Sequence, residues 1–269
     1  MRKLVAGLGF MIIAVMAGPC FASGGETGFL DRSVIVDGAS YRYQVYLPLD
    51  YSPDKSWPVT LFLHGSGERG EDGMVQTQAG IGEAIRRDRK RFPMIVVMPQ
   101  APANTRWSGA RATLAMKALD QAVAEFHGDR RRLYLTGMSM GGQGVWLLAA
   151  ANPGKFAALA PVCGFLRLEN DDDVVDPAQD QALLAQFPEL LQPDPAAAFA
   201  RRIGKTSVWI FHGAADDLVP PENARALNRA MRAGGGEVRY SEYKGVDHGA
   251  WDRAYAEPDL VSWLLSQHR

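Results

Sequence analysis

Short apolar runs alternate along this chain with longer segments whose apolar residues recur at helical spacing. Residues 59–63 and 94–98 are almost continuously apolar, which is typical of strands buried on both faces of a sheet. Residues 111–126, in contrast, place Leu119 and Phe126 on one helical face. The alternation predicts an α/β fold with a mostly parallel central sheet and helices on both faces.

Further segments extend the same pattern. Asp37 and Gly38 separate two strand-like runs, 33–36 and 41–47, and predict an antiparallel hairpin. The other predicted strands cover residues 133–136, 156–162, 207–211 and 237–243. The other predicted helices cover residues 80–91, a segment that begins near residue 143, and residues 221–233 and 258–267. One domain with a sizeable core accounts for all of them.

Residues 164–205 interrupt the alternation because they are long for a connection between two strands. The segment contains an acidic run at residues 169–173, and residues 182–191 carry apolar side chains at partly helical spacing despite Pro188. Long insertions in a compact domain are often lids or binding loops. Two interpretations stay open, an inserted lid near the active site and an ordinary surface excursion.

The amino terminus has the pattern of an export signal. Arg2 and Lys3 precede an apolar run at residues 4–17, and small residues stand before Ser23. We therefore predict a signal peptide over residues 1–22, a catalytic domain over residues 23–269, and a secreted or periplasmic protein. The apolar run is short for a stable membrane span, although an uncleaved anchor is the alternative. Removal of the signal would leave Cys163 without an internal disulfide partner.

Composition and motifs exclude several classes of partner. A net charge of −1 over 269 residues does not favour a nucleic-acid partner. No zinc-type histidine motif or cysteine pair is present, so we expect no metal and no cofactor. Residues 65–70 match the G-x-G-x-x-G dinucleotide fingerprint, but Glu71-Asp72-Gly73 follows in place of a helix. Nucleotide binding is therefore disfavoured.

One stretch predicts nucleophilic catalysis. An apolar strand at residues 133–136 runs into Gly137-Met138-Ser139-Met140-Gly141, and a helix-like segment follows without a loop. In such a strand–turn–helix elbow the central residue has a strained backbone, and side chains two positions away would collide. The glycines meet that requirement, and the turn exposes the serine at the carboxyl edge of the sheet. Ser139 is the candidate nucleophile.

A serine nucleophile requires a base and an acid that orients the base. In elbow hydrolases of this kind the order along the chain is serine, acid, histidine, with the histidine after the last strand. This order selects His248 as the base. Asp216, in the turn after the 207–211 strand, is the preferred acid, and Asp217 and Asp247 remain alternatives. Among the other histidines, His64 and His212 each end a predicted strand and are positioned to line the site.

The tetrahedral intermediate of such a reaction also requires two backbone donors. The amide after the nucleophile, that of Met140, is one candidate. The second is expected in the glycine-rich loop after the 59–63 strand, with Ser66 preferred and Gly67 next. Ser139, His248, an acid and this loop together form a much more specific signal than the pentad alone.

These motifs make the chain resemble a known group of enzymes. Together with Tyr46-Leu47-Pro48, Pro99-Gln100 and Phe211-His212-Gly213, they resemble secreted α/β-hydrolase serine esterases: feruloyl and acetyl-xylan esterases, polyhydroxybutyrate depolymerases and the bacterial phospholipase/carboxylesterase or "predicted peptidase" group. The resemblance implies the α/β-hydrolase fold, a triad of Ser139, Asp216 and His248, and oxyanion donors at Ser66 and Met140. It also implies a substrate contact at Trp107, and His64 is a further candidate contact.

The expected reaction is hydrolysis of a carboxylic ester through an acyl-enzyme. The substrate class is a small-molecule or polymer-borne ester. Two alternatives stay open, a serine peptidase or amidase of the same fold and a catalytically silent binding protein. The long segment at residues 164–205 departs from the pattern of the family, so the resemblance does not imply a particular substrate.

Overall fold

A computed structural model describes residues 26–167 and 176–269 of the protein. Its strands are β1 Gly28–Val36, β2 Ala39–Leu47, β3 Trp57–Leu63, β4 Ile95–Pro99, β5 Gly128–Met138, β6 Ala158–Val162, β7 Ser207–Gly213 and β8 Val238–Tyr243. Its α-helices are α1 Ile81–Arg87, α2 Gly109–Glu125, α3 Met140–Ala151, α4 Pro177–Gln186, α5 Pro195–Ile203, α6 Glu222–Ala233, α7 Trp251–Ala256 and α8 Leu260–Ser266. Short 3-10 turns connect some of them.

The strands form one sheet in the order β1-β2-β4-β3-β5-β6-β7-β8. The first hairpin pairs antiparallel, and β2 also runs antiparallel to β4. All remaining neighbours are parallel. The predicted α/β-hydrolase fold with a mostly parallel sheet is therefore confirmed. Because parallel strands end at the same edge, the carboxyl ends of β5 and β7 lie near each other, separated only by β6.

Successive residues of the central strands contribute to two separate apolar cores. Leu61 and Leu135 join the core that is shared with α2, α3, α5 and α6. Phe62 and Tyr134, their neighbours in sequence, join the core that is shared with α1, α7 and α8. Since neighbouring side chains of a strand point to opposite faces, the sheet is covered by helices on both faces. Burial on both sides makes the sheet a rigid support for the loops at its carboxyl edge.

Two local differences from the predicted elements have clear causes. The predicted helix at 80–91 ends at Arg87, because Asp88 is extended (φ −151°, ψ 90°), and a 3-10 turn, Arg89–Arg91, follows. Helix α7 was not predicted, since six residues are too few to display helical periodicity. Tyr255 anchors α7 in the core, where its hydroxyl lies 2.9 Å from the Thr136 hydroxyl.

The described part of the long segment packs onto the helical layer. Leu183, Phe187 and Phe199 belong to the core that also contains α2 and α3. Gln179 accepts a hydrogen bond from the Arg106 amide at 3.3 Å. The apolar positions of residues 182–191 thus divide between the end of α4 and a 3-10 turn that begins at Pro188. Whether residues 164–205 act as a lid stays a prediction, and the acidic run at residues 169–173 lies outside the described residues.

No helix within residues 26–167 and 176–269 is long and apolar enough to cross a membrane. The predicted signal peptide, residues 1–22, lies outside the part of the chain that the structure describes.

Candidate active site

Ser139 lies at a sharp bend between the end of β5 and the start of α3. Its backbone is strained, with φ 54° and ψ −118°, and its amide donates to the Val162 carbonyl at 2.9 Å. A Cβ atom on Gly141 would lie 1.9 Å from the Leu63 carbonyl oxygen, and one on Gly137 would lie 2.5 Å from the Gly141 carbonyl oxygen. The two glycines are therefore required by close backbone contacts, as the pentad predicts.

Three side chains from distant parts of the sequence form one hydrogen-bonded chain. Ser139 Oγ lies 2.8 Å from His248 Nε2, and His248 Nδ1 lies 2.8 Å from Asp216 Oδ2. Because a carboxylate only accepts, Nδ1 carries the proton and Nε2 is free to accept the serine proton. The structure thus brings the three predicted residues together. Asp217 and Asp247, the alternative acids, are exposed.

The Asp216 carboxylate is buried but well supplied with donors. Its Oδ1 accepts from the amides of Leu218 at 3.1 Å and Val219 at 2.8 Å, while Oδ2 faces two histidines, His248 and His212. Burial alone would raise the pKa of this carboxyl, but the hydrogen bonds from His212, His248 and Val219 outweigh burial and hold the pKa well below its usual range. The surrounding donors therefore favour the ionised form of this carboxyl.

The loop that carries His248 has two further contacts. The Cys163 thiol donates to the His248 carbonyl at 3.3 Å, and burial raises the pKa of this thiol to about 12, so it stays protonated. Trp251 lies against the imidazole, with ring centroids 5.6 Å apart and planes at 89°. His248 is thus contacted both at its backbone carbonyl and at its ring. Neither contact was recognised from the sequence, because neither residue belongs to a motif.

The candidate oxyanion loop follows β3. Ser66 begins a 3-10 turn, Ser66–Glu68, and is half-buried. A Cβ atom on Gly65 would lie 3.6 Å from the Ser139 Cβ, so this loop passes beside the nucleophile. Met140 is the first residue of α3, where amides point out of the helix towards the bend. Donation by the Ser66 and Met140 amides stays a prediction.

Two side chains hold this loop in place. Gln100 Nε2 donates to the Glu68 carbonyl at 3.2 Å, and its Oε1 accepts from the Gly73 amide at 2.7 Å. Arg69 Nε donates to the Thr105 carbonyl at 2.7 Å, and its Nη2 lies 3.0 Å from Met140 Sδ. The two candidate oxyanion residues, Ser66 and Met140, are thus linked to one supporting network.

His64 and Trp107 do not line the site as the sequence predicts. Both side chains are completely buried. His64 Nε2 accepts from the Ala101 amide at 2.9 Å, its Nδ1 donates to the Gly65 carbonyl at 2.6 Å, and Trp107 Nε1 donates to the His64 carbonyl at 3.0 Å. Burial lowers the pKa of His64 to about 4. We therefore correct both assignments. His64 and Trp107 support the loop after β3, because every polar atom of their side chains already has a hydrogen-bond partner inside the protein.

One group of possible metal ligands occurs within residues 26–167 and 176–269. Cys163, His212 and Asp216 offer ligand atoms within 4.8 Å of one another, and all three are buried. A metal here would require a thiolate and would compete with His248 for Asp216. In the structure, His212 and His248 both contact the Asp216 carboxylate, and the raised pKa of Cys163 keeps its thiol protonated.

Comparison with known proteins identifies the family. Residues 103–267, more than half of the chain, match the prolyl oligopeptidase family. The chain belongs to this family. Membership agrees with the eight-stranded fold and confirms the resemblance to serine hydrolases of the α/β-hydrolase class. The matched region contains Ser139, Asp216 and His248, together with the strands that position them.

The proteins that resemble this chain differ from one another in length. A thermostable esterase of known structure is 30% identical, with a TM-score of 0.71 over 90% of this chain and 63% of the esterase. A ferulic acid esterase shares the fold at 16% identity and a TM-score of 0.64, over 88% of this chain and 98% of that protein. A protein of Arthroderma benhamiae described as secreted is 28% identical over 83% of this chain. The chain spans only 24% of the length of that fungal protein.

Proposed function

We propose that this protein is a serine hydrolase that cleaves carboxylic esters through an acyl-enzyme. The observation that carries the proposal is the continuous hydrogen-bonded chain from Ser139 Oγ through His248 to Asp216, with both contacts at 2.8 Å. Such a chain turns a weak hydroxyl nucleophile into a reactive one, because the base removes its proton as the bond forms.

The proposed reaction has two halves. Ser139 Oγ attacks the ester carbonyl carbon while His248 Nε2 takes the hydroxyl proton. The tetrahedral intermediate collapses, the C–O bond to the alcohol breaks, and His248 returns the proton to the leaving alkoxide. Water then attacks the acyl-enzyme, His248 takes one of its protons, and the carboxylic acid leaves as the proton returns to Ser139. Asp216 stays ionised throughout and stabilises the imidazolium in both halves.

The amides of Met140 and Ser66 are proposed as the donors to the oxyanion. Their support is positional: the Met140 amide opens α3 directly after Ser139, and the Ser66 turn lies beside the nucleophile. Each such donor contributes about a hundredfold to a thousandfold in rate.

Ester cleavage is preferred to amide cleavage on one comparison, the thermostable esterase that is 30% identical to this chain. Membership in the prolyl oligopeptidase family favours the second candidate, hydrolysis of a peptide or other amide bond. Ester and amide hydrolysis would use the same three residues. The two reactions differ in how completely His248 must protonate the leaving group.

Two measurements separate these candidates. Covalent labelling by a fluorophosphonate tests the nucleophile, and labelling is expected in the wild type and not in Ser139→Ala. Equal labelling of both would refute the assignment, and no labelling of folded wild type would favour a silent binding protein. A panel of 4-nitrophenyl acetate, methyl ferulate and a proline-containing peptide anilide tests the bond. Cleavage of the anilide alone would overturn the ester proposal.

Export is proposed on the sequence pattern of residues 1–22 and on the fungal relative described as secreted. The mass of the protein recovered from the periplasm or medium tests it. A mature chain that begins at Ser23 is expected, and an intact Met1 in the exported fraction would contradict cleavage at that site.

A further inference from the structure

His212 is a buried histidine that the proposed reaction does not use. It lies near the end of β7, four residues before Asp216, and its side chain is completely buried. Its Nε2 lies 2.9 Å from the Val219 carbonyl oxygen and 3.2 Å from Asp216 Oδ2. The same carboxylate oxygen faces His248 Nδ1 at 2.8 Å. Two imidazoles therefore converge on one oxygen of the catalytic acid.

The neighbours of His212 determine its tautomer. Both atoms that face Nε2 are oxygens that can only accept, a carbonyl and a carboxylate, so Nε2 carries a proton and donates to both. The opposite nitrogen, Nδ1, is buried and has no hydrogen-bond partner. A proton on Nδ1 would be an unsatisfied buried donor, whereas a bare Nδ1 leaves the cheaper unsatisfied acceptor. His212 therefore donates through Nε2 only, towards Asp216 and the Val219 carbonyl.

We propose that His212 is a positioning residue for the triad, which holds Asp216 Oδ2 in the orientation and charge state that His248 requires. The inference rests on the proposed function. With Leu218 and Val219 on Oδ1 and the two histidines on Oδ2, each oxygen of the carboxylate faces two donors. The His212 contact removes part of the charge that His248 would otherwise face alone, and it also ties the turn after β7 to its strand through Val219.

The charged groups around this cluster are few and well paired. Cys163, after β6, lies beside Asp216 and His212 as a protonated thiol. On β8, Glu242 is the register partner of His212, and Arg225 of α6 holds that carboxylate through two hydrogen bonds of 2.9 and 2.6 Å. Replacement of His212 leaves the Glu242 pair in place. A change in pH dependence would therefore come from the Asp216–His248 pair.

Two substitutions of His212 distinguish the effect of its hydrogen-bond donor from the effect of its ring volume. In His212→Gln the amide nitrogen replaces Nε2, whereas in His212→Asn the amide is too short to reach Asp216 Oδ2. His212→Met keeps the length without a donor and serves if the Asn variant does not fold. Ile210→Val, two residues earlier on β7, is the control for small changes in this strand, and we expect it to behave as the wild type.

The readout is the pH dependence of the fluorophosphonate labelling rate and of 4-nitrophenyl acetate turnover. Without the His212 donor, Asp216 presents more charge to His248, and His248 holds its proton more tightly. The acid limb of both profiles is then expected to move to higher pH by about half a unit or more in His212→Asn and His212→Met. Turnover at neutral pH is expected to fall about tenfold to a hundredfold, in kcat more than in KM. His212→Gln is expected to recover most of the rate and the wild-type limb.

Three results would overturn the inference. They are an unmoved acid limb in a folded variant without the donor, equal behaviour of the Gln and Asn variants, and an Nδ1–H tautomer of His212 in ¹⁵N-resolved NMR spectra of the wild type. The NMR measurement needs no variant, so the inference stays testable if substitutions at position 212 prevent folding. Failure of the proposed function is distinct from these results, because wild-type protein would then fail to label at all.

Discussion

Replacement of Gly141 by alanine tests whether close backbone packing sets the position of the nucleophile. An added Cβ would lie 1.9 Å from the Leu63 carbonyl oxygen and 2.7 Å from that of His64, where real Cβ contacts are not shorter than 3.0 Å. The start of α3 must therefore move by at least about 1.1 Å relative to β3. Both obstacles are backbone atoms of a buried strand and its loop, so they cannot rotate away.

The expected magnitude follows from this displacement. Alanine is favoured over glycine in a helix by about 1 kcal/mol, but overpacking against buried backbone costs about 3 kcal/mol. A net loss of about 2 kcal/mol corresponds to a melting temperature lower by about 4 to 8 °C for a domain of this size. A misplacement of about 1 Å lengthens the 2.8 Å contact between Ser139 and His248 and is expected to slow labelling about a hundredfold.

The assay is the rate of fluorophosphonate labelling together with thermal unfolding of the same samples. Gly234→Ala is the matched control. Gly234 follows α6 with φ −73°, and the atom nearest to its added Cβ is 3.4 Å away. We expect wild-type labelling and stability for this control. A Gly141→Ala protein with the labelling rate and melting temperature of the wild type would refute the packing argument.

Three further predictions concern the triad and its supports. Asp216→Asn is expected to slow labelling about a thousandfold or more, since an uncharged partner neither fixes the His248 tautomer nor stabilises its charge, and a loss below tenfold would contradict this role. Cys163→Ser keeps a donor to the His248 carbonyl and is expected to label within about twofold of the wild type. Cys163→Val places a β-branched residue at φ 48° and is expected to lose about 1 to 3 kcal/mol of stability in urea unfolding. Equal stability of the two variants would contradict the argument. The pKa of His64 is about 4 in the folded protein and 6.5 in the unfolded chain, so the unfolded state binds the proton first as the pH falls. The free energy of unfolding is therefore expected to fall by about 3 kcal/mol as the pH drops from 6.5 to 4. Urea midpoints measured across this range would show the fall, and His64→Gln is expected to reduce it.

Local sequence was sufficient for much of the fold and for the nucleophile. The alternation of apolar strands with amphipathic helices follows from burial on both faces of a parallel sheet. The burial pattern of each strand or helix can be read from the residues of that element alone. The sequence signal of the elbow is also local, because Gly137, Ser139 and Gly141 lie within five consecutive positions. The close approach that requires Gly141 is not local, since it is made to the carbonyls of Leu63 and His64. Chain order then selected His248 without any distance, and it left Asp216 as the preferred acid with Asp217 and Asp247 as alternatives.

Only the tertiary structure decided which side chains face the reacting atoms. His64 and His212 look alike in the sequence, since each ends a strand and precedes a glycine. In the fold, His64 turns inward to hold Ala101, while His212 donates towards Asp216. Asp216 faces His248 and Asp217 faces solvent for the same reason: a turn directs neighbouring side chains to different sides. These directions depend on how β7, β8 and their loops pack across the sheet, which no short stretch of sequence contains.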